Sequence, residues 1–149
     1  MNQNIIKTEN LYRNSKPIDQ LNDLNGITLM INEQKKAGVV VKKAHKQIIK
    51  VINEIYNHLL TNDNGRLIYV GAGTSGRIGV QDGVELVPTF NWPKKRLDYI
   101  LAGGDKAIFN AVENAEDDVK KASEIVKLKL INQRDVVIGL AASGNTPFT

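Results

Sequence analysis

At residues 66–90 the chain reads RLIYVGAGTSGRIGVQDGVELVPTF, a short apolar run that passes through a glycine loop directly into a helical pattern. A strand followed this closely by a helix is the unit from which parallel sheets are built, because the helix returns the chain for a second strand running the same way. Two more apolar runs follow at about 97–102 and 135–140, with helical patterns expected at 78–85, 106–112 and 117–130. The last run, DVVIGL, is continuously apolar, as expected for a parallel strand covered on both faces. The expected fold class is therefore α/β with a parallel sheet. Such sheets take their ligands beyond the carboxyl ends of the strands. Two loops of small and hydroxylated residues, GAGTSG at 71–76 and AASGNT at 141–146, fall there.

Ahead of residue 65 the pattern is helical. Residues 1–17 read as a loosely structured arm ending at Pro17. Asp19 is placed to cap a helix reaching about Lys36, with Gly26 as its weak point. Gly38 is expected to break the pattern. A second helix over 39–60 carries Val41, Ala44, Ile48, Ile52, Ile55 and Leu59 at three- and four-residue steps, and ends in the turn-rich run TNDNG.

The loop at 71–76 sets the chemistry. Gly71, Gly73 and Gly76 let backbone approach a ligand, Thr74 and Ser75 add hydroxyl donors, and the following helix offers free N–H groups and the positive end of its dipole. This suits a phosphate monoester, and the carboxylate of Glu85 in the same helix suits acid–base chemistry beside it. The same residues fit the dinucleotide pattern G-x-G-x-x-G, which alone is weak. That pattern wants an acid closing the second strand; Asp98 opens the expected strand and Asp105 comes late. Two hydroxyls in the first loop and a second hydroxyl loop at Ser143 favour a monophosphate gripped from two sides. A glycine turn without a ligand stays open as the plain reading. So does a helix start for the acids of ENAEDD, Glu113 and Glu116 among them, since acids there suit the helix dipole.

Composition excludes several classes. With 149 residues, 42% apolar and 24% charged, the chain has the make-up of a globular domain. It has no cysteine, which removes thiolate and disulfide chemistry and favours the cytoplasm. The first residues show no export signal, and no run reaches membrane-spanning length. A net charge of +4 invites a nucleic-acid reading, but the lysines spread along helical segments, the one compact triplet is Lys94-Lys95-Arg96, and aromatics are only 5%. No partner among nucleic acids or membranes is expected. His45 and His58 lie far from both loops, Trp92 reads as a packing residue, and no cluster has metal-ligand spacing.

Three blocks in order, GRLIYVGAGTSGRIGVQDGVELVPTF, AGGDKAIFNAVENAEDD and DVVIGLAASGNTPF, resemble the N-acetylmuramic acid 6-phosphate etherase family, which has the sugar isomerase (SIS) fold. The resemblance runs from about Asp19 to Thr149. The family chain is about twice as long, and its vertebrate relative, glucokinase regulatory protein, senses phosphosugars without catalysis. The resemblance implies an N-terminal arm and helical lead over 1–64 and the first, incomplete part of a phosphosugar-binding SIS domain over 65–149. It implies that Gly73, Thr74, Ser75, Gly76, Ser143, Gly144 and Thr146 hold the sugar phosphate, with Glu113 as a further substrate ligand. It implies Glu85 as proton donor and Glu116 as second essential carboxylate, replacing the helix-start reading. A phosphorylated amino sugar, a homodimer and no cofactor or metal are the partners it implies. A non-catalytic phosphosugar-binding module is the alternative. The chain departs from the family in VELVPTF, where SECPPTF is usual, in Asn145, where an arginine is usual, and in INEQKK, where the family favours an acidic pattern.

Overall fold

The computed structural model describes residues 16–149, so most of the arm expected over 1–17 lies outside the described residues. The chain divides into two compact units, Met1–Tyr56 and Asn57–Thr149. In the first, a 3-10 turn at Ile18–Gln20 precedes helix α1, Asp23–Thr61, whose last turn enters the second unit. Asp19 lies in the turn rather than at the cap. Asn22 caps α1 instead, its Oδ1 accepting the Asn25 N–H at 2.9 Å. The break expected at Gly38 does not occur, and α1 runs unbroken for 39 residues. A helical glycine costs only ~1 kcal/mol against alanine, and the good helix formers Lys35, Lys36, Ala37, Lys42, Lys43 and Ala44 surround it.

The second unit holds β1 (Leu67–Gly71), α2 (Gly73–Phe90), β2 (Leu97–Leu101), α3 (Val119–Leu128) and β3 (Val136–Leu140). The sheet is parallel with order β2-β1-β3, and Gly71 sits opposite Leu101 on one side and Leu140 on the other. All of β1 is buried. The core joins Ile68, Val70 and Ile100 to Phe148 from the turn after β3, with Ala122, Ile125 and Ile131 packed against it. The strand covered on both faces is thus β1. β3 alternates between half-buried and exposed residues, with Val137 49% exposed, because α2 covers the face of Leu140 while the face of Val137 and Gly139 stays open.

Helix α2 is longer at both ends than the expected 78–85. Its buried stripe of Gly76, Gly79 and Gly83 faces the sheet. A Cβ on Gly76 would stand 2.3 Å from Leu101 Cδ1, and one on Gly71 would stand 2.7 Å from the Gly76 Cα. The room expected for a ligand at Gly71 and Gly76 is therefore filled by the strand–helix contact itself. Tyr69 on β1 donates to Asp82 of α2 at 3.0 Å, and burial together with that bond pushes its phenol up to about 12. The helix expected over 106–112 is absent. A 3-10 turn at Asp105–Ile108 and another at Ala115–Asp117 take its place. Asp118 then caps α3, accepting the Lys121 N–H at 2.8 Å.

Arg96, from the compact basic triplet, is a structural staple. It donates to the carbonyls of Gly65 (2.7 Å), Leu59 (2.8 Å) and Asn62 (3.0 Å), and its guanidinium lies 5.1 Å from the centre of the Trp92 ring.

Candidate functional site

The strand order places a topological switch at β1, since the chain leaves it to one side for β2 and reaches β3 on the other. Crevices beyond the carboxyl ends of strands at such a point are where open parallel sheets bind ligands. The turn after β1 and the turn after β3 are neighbours there, because Gly71 and Leu140 are paired.

The turn after β1 leads at once into α2. Ala72 is its N-cap and supplies no side-chain hydrogen bond. The N–H groups of Gly73, Thr74 and Ser75, within the first helical turn, therefore have no intrahelical acceptor. Gly76 differs, since its N–H already donates to the Ala72 carbonyl at 3.1 Å. Gly73 has φ +52° and faces open space, so a ligand can approach its backbone.

A cleft of about 280 Å3 opens beside this helix end. Gly73, Thr74 and Arg77 line one wall, and Glu113, Asn114 and Glu116 line another. Both glutamates are exposed. Asn114 between them takes the left-handed conformation, φ 61°. The structure thus brings Gly73, Thr74, Glu113 and Glu116 together on one cleft.

The turn after β3 does not line that cleft. It reaches the acidic segment through the backbone instead, the Phe148 N–H donating to the Glu116 carbonyl at 2.9 Å. Within the turn, Ser143 Oγ accepts the Asn145 N–H at 3.1 Å, and the Asn145 amide donates to the Ser143 carbonyl at 3.2 Å. Asn145 is thereby folded back on its own turn. Gly144 has φ +71° and opens to space, and Thr146 accepts the Thr149 N–H through its carbonyl.

Glu85 stands apart from this cleft. It lies on α2, roughly 18 Å along the axis from Gly73 at 1.5 Å per residue. It is exposed, on the side of the helix opposite the glycine stripe. Ser75 is half-buried in the first turn of α2 and does not line the cleft.

Sequence reasoning missed Arg77. Its Nε donates to the Ala107 carbonyl at 2.9 Å and its Nη2 to the Asn110 carbonyl at 3.1 Å, and among the described residues it is the one basic side chain lining the cleft. A lone arginine just past a phosphate-type loop was the available signal. Among the described residues no group of three or more His, Asp or Glu side chains is placed to hold a metal ion, and no helix is long and apolar enough to cross a membrane.

Residues 47–149 match the family model described as glucokinase regulatory protein N-terminal SIS domain. The chain is also similar to proteins named N-acetylmuramic acid 6-phosphate etherase. It is 43% identical to that of Lactobacillus johnsonii over 148 residues, 99% of this chain and 49% of the relative. It is 44% identical to that of Mycoplasma mycoides subsp. mycoides over 144 residues, 96% and 47%, and 40% identical to that of Pasteurella multocida over 143 residues, 96% and 47%. The chain spans about half the length of the curated relatives it matches.

Proposed function

The chain belongs to the family of the glucokinase regulatory protein N-terminal SIS domain, and from its similarity to relatives named N-acetylmuramic acid 6-phosphate etherase we propose that it binds a phosphorylated amino sugar and takes part in cleaving the D-lactyl ether of N-acetylmuramic acid 6-phosphate. The observation that carries this reading is the meeting of Gly73, Thr74, Glu113 and Glu116 on one cleft at the end of β1. Relatives bearing the etherase name match nearly the whole chain. The products are D-lactate and N-acetylglucosamine 6-phosphate, in a cytoplasmic step of peptidoglycan amino-sugar recycling that needs no cofactor.

In this reading the free N–H groups and hydroxyls of Gly73, Thr74 and Ser75 take the phosphoryl group, with Ser143, Gly144 and Thr146 closing on it from the turn after β3. Gly76 serves by seating the helix against β1. Glu113 holds a sugar hydroxyl. Ring opening exposes an aldehyde at C1, which acidifies the C2 proton. Glu116 removes that proton, and the electron pair expels lactate from C3 as an acid protonates the ether oxygen. Water then adds at C3 of the unsaturated aldehyde and C2 regains a proton, so the net reaction is hydrolysis of the ether. Glu85 is the acid, and later the base for water. Each role is worth ~10²–10⁴-fold in rate.

Glu85 projects from the exposed side of α2, roughly 18 Å along the helix from the phosphate donors. Its role therefore calls for a homodimer in which the Glu85 of one copy serves the cleft of the other. The second reading, a phosphosugar-binding regulatory module without turnover, is favoured by the name of the matched family. Lactate release from N-acetylmuramic acid 6-phosphate by the full-length protein, run beside a binding titration, separates them. The etherase reading expects lactate from the parent and none from Glu116→Gln, with binding kept in both. Binding without lactate in the parent favours the regulatory module.

A further inference from the structure

We propose that Arg77 is a positioning residue, whose guanidinium holds the segment carrying Glu113 and Glu116 against the same helix that presents the phosphate donors. For its kinetic consequence this inference rests on the function proposed above.

The segment between β2 and α3 has no strand or α-helical ladder, only 3-10 turns at Asp105–Ile108 and Ala115–Asp117. The turns satisfy the carbonyls of Gly104, Lys106, Asn114 and Ala115 from within the segment, whereas those of Ala107 and Asn110 take their donors from outside it. Arg77 supplies two from one rigid fork, Nε to Ala107 O at 2.9 Å and Nη2 to Asn110 O at 3.1 Å. Hydrogen bonds from a charged donor are the stronger kind. The far end of the segment is held differently, by the Phe148 N–H on the Glu116 carbonyl, and Phe148 is itself buried in the core. Glu113 and Glu116 thus lie between two hydrogen-bonded clamps, with Val112 against Gly103 and Ala115 packed on the core between them.

The first clamp has a second property. Arg77 sits on α2 just past Gly73, Thr74 and Ser75, and α2 is pressed onto β1 through Gly76. One helix therefore sets both the anion donors and the start of the acidic segment, and the distance between phosphate and base follows from it. The competing role for an arginine lining this cleft is direct contact with phosphate. Two of its three nitrogens are already committed to carbonyls, which favours positioning. A lysine keeps the charge but offers a point ammonium on a flexible stem, unable to reproduce the fork.

The test compares the full-length parent with Arg77→Lys and Arg77→Ala. Amide hydrogen exchange is expected to quicken about tenfold or more over residues 105–117 in both variants, as for lost charged hydrogen bonds, with the amides of β1 unchanged. Affinity for inorganic phosphate is expected to hold in Arg77→Lys. Turnover is expected to fall about 10²-fold with little change in KM, since a small misplacement of a catalytic group is enough for that. Unchanged exchange over 105–117 overturns the proposal, as does faster exchange spread equally into β1, which marks a residue of general stability. Weakened phosphate binding in Arg77→Lys without a change in exchange overturns it in favour of direct phosphate contact. If the parent itself releases no lactate, the etherase reading fails while the exchange measurement still decides the place of Arg77.

Discussion

Arg66 and Asp135 hold each other across the amino ends of β1 and β3 by two side-by-side hydrogen bonds, Nε to Oδ1 at 3.1 Å and Nη2 to Oδ2 at 2.8 Å. The Arg66 backbone N–H adds a third at 2.9 Å, and the Asn132 N–H donates to the same carboxylate at 3.1 Å. The Asp135 side chain is 2% exposed. Arg66 also reaches Asp98 at 3.5 Å, whose other oxygen accepts from Lys129 at 2.6 Å. The cluster ties both sheet neighbours of β1 together at the end away from the cleft.

This pairing makes stability depend on acid in a defined direction. The Arg66 guanidinium, helped by the backbone donors, lowers the Asp135 carboxyl from 3.8 to about 2. The unfolded chain therefore takes up this proton first, so the contribution is full above about pH 4 and is lost as pH falls through about 2. Its size is about 2 kcal/mol. Asp135→Asn is expected to be less stable than the parent near neutrality, with the gap closing toward the acid limit in denaturant titrations run across pH. A gap independent of pH would refute the assignment.

Asn114 sits in the left-handed region between the two cleft glutamates. Glycine adopts that conformation freely, whereas a β-branched side chain resists it by roughly 1–2 kcal/mol. Asn114→Gly is expected to keep the stability of the parent. Asn114→Val is expected to lose about that amount. Equal thermal midpoints for the two variants would count against the strained turn.

Two helical glycines should answer oppositely to alanine. Gly76 has no room, since a Cβ would lie 2.8 Å from the Gly71 carbonyl carbon as well as against Leu101. Gly76→Ala is expected to cost about 1–3 kcal/mol by overpacking. Gly38 has nothing within 4 Å of its Cβ position, so Gly38→Ala should raise stability by about 0.5–1 kcal/mol. Thermal unfolding followed by circular dichroism measures both.

The shared-site reading of Glu85 predicts complementation. Glu85→Gln and Glu116→Gln are each expected to be inactive in the full-length protein. Mixed and allowed to exchange subunits, they should recover about a quarter of parental turnover, because half of the random dimers carry one intact site. No recovery despite demonstrated exchange would place both glutamates in one copy's site or remove Glu85 from the chemistry.

What could be read from residues alone follows the strength of the local signal. The strand runs at 67–70, 97–102 and 135–140 were found within a residue or so, because short apolar runs ended by glycine loops have few other uses. The parallel sheet and the adjacency of its two hydroxyl turns came with them. The expected helix at 106–112 failed because Arg77, remote in sequence, takes the carbonyls of Ala107 and Asn110. The expected break at Gly38 failed because one glycine's small penalty does not stop a long run of good helix formers. The stripe Gly76, Gly79, Gly83 carries a helix period that points to close packing on a sheet, whereas the loop pattern around Gly76 by itself suggests ligand access. Glu85 is visible as a residue, but its distance from the free N–H groups of the first turn follows only once α2 is known to begin at Gly73.

The contact between Gly71 and Gly76 has a bearing on affinity. With backbone resting on backbone, the first turn of α2 has nowhere to drift, and its donors keep their aim whether or not an anion is present. Capture of a small oxyanion then forfeits little freedom in the host, and tightness is gained through rigidity alone, without further contacts.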